Sequence, residues 1–179
     1  MPGPLILWTG PTRSGKTTAL RQFVAGALAE GWRIAGLLAP AVVDQNHLVG
    51  YDAEDISTGQ RAALLRRSGP ARPTDVGGYV LQPAGVALGA AALDPRRTTG
   101  TRAVIVDEFG PLETEGRLWR PYVDALVTAD PAVILVVREQ LAGTVARLYA
   151  AARPTVLPAR GPDALVTALA AGPDQPAGT

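Results

Sequence analysis

The chain has 179 residues, 47% of them hydrophobic, and a formal net charge of +1. That is enough apolar material for one core of ordinary size, and the near-neutral balance supplies no basic stripe to draw nucleic acid or an anionic membrane surface, so neither is expected as a partner. There is no cysteine and a single histidine, His47, which excludes disulfides and thiolate metal sites and leaves little basis for a histidine metal centre.

Met1 to Pro4 contain no basic leader, and the apolar run that follows is too short for a signal peptide or a membrane span, so a cytoplasmic location is expected. Leu5 to Trp8, ended by Thr9-Gly10, reads as a strand buried on both faces. From Lys16 to about Ala29 the spacing of Leu20, Phe23, Val24, Ala27 and Leu28 predicts a helix with one apolar stripe, stopped by Gly31. Arg33 to Ala39 reads as a second strand, and Leu48–Ile56, a Ser57-Thr58-Gly59-Gln60 turn and Arg61–Leu65 as a hairpin.

Ser68 to Pro73 is expected to be a loop, Tyr79–Leu81 a short strand, Val86–Leu93 a short helix and Asp94–Gly100 another loop. Ala103–Val106 and Ala132–Val137 are unbroken apolar runs suited to central parallel strands, with a helix from Pro121 to about Ala129 between them. Leu141, Val145 and Leu148 mark one face of the next helix, Pro154–Leu157 a last strand and Pro162–Ala171 a last helix. One α/β domain over residues 1–171 is expected, built on a mainly parallel central sheet flanked by helices, with 172–179 a disordered tail. In such a sheet the ligand site lies beyond the carboxyl ends of the strands.

Gly10-Pro11-Thr12-Arg13-Ser14-Gly15-Lys16-Thr17 fits the phosphate-loop pattern G-x-x-x-x-G-K-[ST], directly after a buried strand and at the start of an amphipathic helix. Backbone N–H groups of this loop, extending to Thr18, would surround phosphate oxygens, the Lys16 ammonium would reach the β and γ phosphates, and the Thr17 hydroxyl would hold Mg²⁺. Sixteen of the seventeen basic residues are arginine, and the only lysine is Lys16. A chain that uses arginine elsewhere has a compact ammonium where the loop needs one.

Ala103-Val104-Ile105-Val106-Asp107-Glu108 resembles a Walker B strand, with Asp107 expected at Mg²⁺ and Glu108 placed to polarise an attacking water, which favours hydrolysis. P-loop proteins with this adjacent glutamate usually carry the next strand between the Walker B and P-loop strands. By that resemblance Ala132–Val137 lies beside Leu5–Trp8 and Arg138 projects towards the phosphates; Arg13 is a second candidate. No lysine remains for a guanine-reading Asn-Lys-x-Asp motif, and no transporter-type Leu-Ser-Gly-Gly-Gln signature occurs.

Together with Gly77-Gly78-Tyr79-Val80, the phosphate loop and the run Asp107-Glu108-Phe109-Gly110-Pro111-Leu112-Glu113 resemble the small nucleoside-triphosphatases first described from thermophiles, whose typical run is Asp-Glu-Ile-Gly-x-Met-Glu. The resemblance implies a RecA-like fold and Mg²⁺-dependent hydrolysis of ATP, GTP and other triphosphates with little base selectivity. Where that family often carries Thr-x-Glu-x-Arg, this chain has Ala39-Pro40-Ala41-Val42-Val43. Glu113 is expected either to orient the Glu108 loop or metal waters, or to be a solvated carboxylate. Trp8 and Trp32 are expected in or beside the core, Trp119 or Tyr122 is a candidate for base stacking, and His47 is expected on a solvated loop. The leading expectation is a nucleoside-triphosphatase. Its alternatives are a nucleotide-dependent switch with slow hydrolysis, or a small-molecule kinase whose acceptor pocket would be built from Val42–Val76.

Overall fold

A computed structural model describes residues 1–11, 14–67 and 78–170. Strand β1 (Leu5–Gly10) leads through the phosphate loop into helix α1 (Lys16–Ala29), followed by β2 (Ile34–Leu38). Next come β3 (Ala41–Asp44), β4 (His47–Asp55), β5 (Arg61–Arg67), β6 (Tyr79–Leu81), α2 (Pro83–Ala92) and α3 (Pro95–Thr98). The chain continues with β7 (Ala103–Phe109), α4 (Pro111–Thr114), α5 (Arg120–Leu126), β8 (Ala132–Arg138), α6 (Glu139–Leu148), β9 (Thr155–Pro158) and α7 (Pro162–Ala170).

All described strands join one sheet in the order β6-β5-β4-β2-β7-β8-β1-β9, with β3 on the outer part of β4. Five strands, β2, β7, β8, β1 and β9, run parallel, and β8 lies between β7 and β1 as the motif reading anticipated. The parallel strands β1, β7 and β8 are buried along almost their whole length, which is why they read as unbroken apolar runs. Alternate residues divide between two cores. Leu5, Leu7, Val104, Val106, Val133 and Leu135 face the side covered by α2, α5 and α6, while Ile6, Trp8, Ile105, Ile134 and Val136 pack under α1 and α7. On α1, Leu20, Phe23, Val24 and Ala27 are buried, whereas Leu28, expected in the same stripe, is exposed. Leu148 at the end of α6 is likewise exposed, with Val145 carrying the contact.

The central parallel strands approach closely at Gly36. Its φ is +116°, and a Cβ there would lie 2.1 Å from the Ile105 carbonyl oxygen of the paired strand. Gly36→Ala is therefore expected to destabilise the protein by on the order of 3 kcal/mol or more, because backbone rather than a flexible side chain would have to yield. Thermal melts by circular dichroism would show a fall of roughly 6–12 °C.

Beyond β2 the sheet turns antiparallel. The β4–β5 hairpin forms as the sequence predicts: the Asp55 carboxylate accepts from the Ser57 N–H at 2.9 Å, and Gly59 takes a φ of 71°. A second hairpin, β3–β4, was not anticipated. Gln45 and Asn46 both take positive φ, 43° and 62°, the conformation of a two-residue turn whose hand matches the strand twist. His47 consequently opens β4 rather than lying in a loop, though it is exposed. Glu54 on β4 accepts from Arg21 of α1 and from Arg61 at 2.8 Å, tying this extension to the parallel part. Within the segment expected to be a loop, Pro95–Thr98 forms a helical turn capped by the Asp94 carboxylate on the Arg96 N–H. The readings made for Ser68–Pro73, Gly77 and the tail fall outside the described residues.

Candidate active site

The site forms where β1, β7 and β8 end. Gly15, left-handed with φ 82°, allows the chain to turn from the loop into α1. The first turn of α1 contains no acidic residue, so its N–H groups and dipole present net positive character outward. Lys16 is 8% exposed, and its Nζ donates to the carbonyls of Gly10 at 3.1 Å and Pro11 at 2.6 Å. Ser14, Gly15 and Thr18 are exposed, while Thr12 and Arg13 lie outside the described residues.

Asp107 is 1% exposed. Its Oδ2 accepts from the Thr17 hydroxyl at 3.0 Å and from the Ala39 N–H at 3.1 Å. The contact to Ala39 left no mark in the sequence, since any residue but proline leaving β2 at that point would offer the same backbone donor. It also gives Ala39 a place in the site although its side chain is neither acid nor base. Burial pushes the Asp107 carboxyl up to about 6, opposed by the Ala39 N–H and raised further by the neighbouring Glu108 charge.

A carboxyl whose folded value exceeds its ordinary 3.8 stabilises the fold fully only below that value, and the contribution is lost as pH rises through about 6. In metal- and nucleotide-free protein, the wild-type melting temperature is expected to drop from pH 5 to pH 7.5 by more than that of Asp107→Asn. Paired thermal melts of the two proteins check this difference.

Glu108 departs from the strand. Its φ is 65°, and the β7–β8 register shifts between Val106 and Phe109. This bulge turns the Glu108 side chain outward and returns Phe109 to the core, where it is fully buried. Arg138 ends β8 directly opposite Gly10 in the parallel register. Its Nη2 lies 3.3 Å from Glu108 Oε2, and its buried Nε has no hydrogen-bond partner among the described residues. Lys16, Thr17, Asp107, Glu108 and Arg138, expected as site residues from separate motifs, thus converge where the central parallel strands end.

Two readings that the sequence left open are decided by burial, and for Glu113 the orienting alternative holds. Glu113 is not a solvated carboxylate: it is 3% exposed, and its Oε2 accepts from the Gly110 N–H at 2.8 Å, holding the turn that follows Glu108. Burial pushes its carboxyl up from the usual range. A glutamate three residues after Gly110, with Pro111 between, was the available signal, since that spacing lets a side chain reach back to the start of a helical turn. Trp119 cannot stack on a base, because it is 2% exposed and packs on α2, where a Cβ on Gly89 would lie 2.2 Å from its ring. Trp8 is fully buried, and Trp32 borders the core under the Arg102 guanidinium, 3.8 Å from the ring centre.

The parallel order β2-β7-β8-β1-β9, with a phosphate loop after β1, defines a P-loop protein of the RecA-like type. Two solved structures share the fold. A human cancer-related nucleoside triphosphatase matches with a TM-score of 0.73 at 20% identity, over 94% of this chain and 98% of that one. THEP1 from the hyperthermophile Aquifex aeolicus matches with a TM-score of 0.67 at 18% identity, over 93% and 95%.

A family model described as NTPase matches residues 5–157. The nucleoside-triphosphatase THEP1 of Methanopyrus kandleri is 30% identical over 78% of this chain and 76% of its own length. That of Thermofilum pendens is 27% identical over 75% and 74%. The chain belongs to this NTPase family.

Proposed function

We propose that the chain is a Mg²⁺-dependent nucleoside-triphosphatase that converts ATP, GTP and related triphosphates to the diphosphate and phosphate. The observation that carries the reading is the Thr17–Asp107 contact of 3.0 Å, which joins the end of the phosphate loop to the acidic end of β7. This donor set fits a hard divalent cation: a hydroxyl and a buried carboxylate are both oxygen ligands. Among the described residues no group of three or more acidic or histidine side chains could hold a metal. That suits Mg²⁺, which is commonly held by one or two protein oxygens together with phosphate oxygens and water. When bound, Mg²⁺ would neutralise charge on the β and γ phosphates.

The remaining work belongs to the protein. Amides of the loop and of the α1 N-terminus would bind phosphate oxygens, and the Lys16 ammonium would exchange its two carbonyl partners for the polyphosphate. Thr17 and Asp107 would orient the metal. Glu108, set outward by the β7 bulge, would accept the proton of the attacking water. Arg138, paired with Glu108 and opposite Gly10, would hold that carboxylate in place and stabilise charge building on the transferring phosphoryl group. No base-reading motif accompanies this machinery, which supports broad use of triphosphates.

The test is steady-state phosphate release from a panel of four nucleoside triphosphates, with Mg²⁺ and after chelation by EDTA. Multiple turnovers with Mg²⁺ on every base, and loss of at least about 100-fold on chelation, are expected. Turnover insensitive to chelation would refute the metal assignment.

A further inference from the structure

Asp107 is held by two donors on one oxygen. Oδ2 accepts from the Thr17 hydroxyl and from the Ala39 N–H, while Oδ1 accepts no hydrogen bond from the described residues. The two donors differ in kind. The Thr17 hydroxyl is itself assigned to the metal, so its oxygen has a second commitment, whereas a backbone N–H has no lone pair to offer a cation and can only donate. The hold of Ala39 on the carboxylate is therefore independent of what Thr17 does.

The corner that supplies this N–H is fastened on both sides. The β2–β7 register runs to Leu37 and Val106, so the Ala39–Asp107 bond takes over where the main-chain ladder stops. Ala39 is buried and precedes Pro40, which confines it to extended backbone. The Pro40 carbonyl then accepts from the Asp52 N–H of β4 at 3.0 Å. One face of the corner thus grips the acidic end of β7, and the other is tied to the antiparallel extension. Two donors on Oδ2 limit rotation of the carboxyl group, and a ligand oxygen that is already oriented loses less freedom when a cation arrives.

We propose that the main-chain N–H of Ala39 is a positioning group for the metal: it fixes Asp107 through Oδ2 so that Oδ1 is presented to the cation or to a water bound to it, and the antiparallel extension buttresses the donor. The proposal rests on the Mg²⁺ reading above, since without a cation at Asp107 the donor has nothing to position.

The experiment places lactic acid at position 39 by nonsense suppression in cell-free translation, which turns one N–H into an ester oxygen and leaves the side chain unchanged. Calorimetry with the non-hydrolysable imido analogue of ATP, in Mg²⁺ and in EDTA, reads the contribution of the metal to binding. Affinity in EDTA should stay within about two-fold of wild type, and affinity in Mg²⁺ should fall about ten-fold or more. In an Asp107→Ala background the same ester should change the Mg²⁺ value by less than about two-fold, because no carboxylate remains to be positioned. The unaltered main chain supplies a second measurement. By NMR, hydrogen exchange at the Ala39 amide should be at least about ten-fold slower in wild type than in Asp107→Ala, with and without the Mg²⁺ complex of the analogue.

Equal losses in Mg²⁺ and in EDTA would mark a structural role and overturn the proposal. So would an ester protein that binds the Mg²⁺ complex as wild type does, an ester effect undiminished in Asp107→Ala, or exchange at Ala39 as fast in wild type as in Asp107→Ala. In each of those cases wild type still binds the analogue more tightly with Mg²⁺. Wild type that binds equally well in EDTA would instead overturn the metal reading itself, and the positioning role with it.

Discussion

Lys16→Ala is expected to give no measurable heat of association with Mg-ATP or Mg-GTP at concentrations that saturate the wild type, a loss of at least about 100-fold in affinity. The size follows from the environment of the side chain. Lys16 is the only lysine, 8% exposed, and held by carbonyls of the loop it serves. A charge-assisted hydrogen bond to a phosphate contributes about 1.5–3 kcal/mol; with one each to the β and γ phosphates the loss is about 3 kcal/mol or more, and each 1.4 kcal/mol is a factor of ten in binding. Arginine at this position would be a poor substitute, since its planar fork is longer and matches a different geometry. Isothermal calorimetry on both proteins checks this, with circular dichroism to establish that the variant is folded. Wild-type affinity in the variant would remove the lysine from phosphate binding, and with it the central element of the proposed site.

Glu108→Gln has the opposite signature. Binding of Mg-ATP should stay within about three-fold of wild type, while turnover falls by on the order of 10² to 10⁴, the usual contribution of a positioned general base. Glutamine retains the shape and the hydrogen-bonding oxygen but cannot take a proton at neutral pH. The fold should tolerate the change. Both members of the Glu108–Arg138 pair are partly exposed, at 38% and 43%, so breaking it alters stability little. Single-turnover phosphate release, compared with binding measured separately, distinguishes a chemical defect from a binding one. Undiminished turnover would take Glu108 out of the mechanism and turn attention to Arg138.

Most of the parallel half of the fold was legible because its residues obey short-range rules. Leu5–Trp8, Ala103–Val106 and Ala132–Val137 are uninterrupted apolar runs since both faces of those strands are covered by helices. The phosphate loop was legible because close backbone approach to phosphate demands glycines, a lysine and a hydroxyl at fixed spacing. The antiparallel half was harder. Strand β4 is only partly buried and its pattern is broken by Gly50 and a register shift, and the β3–β4 turn uses Gln45, a residue with little preference for positive φ.

The sequence by itself determined which atoms are available for the chemistry: one ammonium, the Thr17 hydroxyl, the paired carboxylates of Asp107 and Glu108, and the strand-terminal Arg138. These requirements are local, so they can be written in consecutive residues. Tertiary structure alone decided that Ala39 donates to Asp107 across two strands, that Arg138 pairs with Glu108, and that Glu113 is buried against the Gly110 N–H. Each of these depends on strand order and on a single bulge in β7. Such contacts join residues remote in the chain, and their energetics arise only after water has been excluded between them.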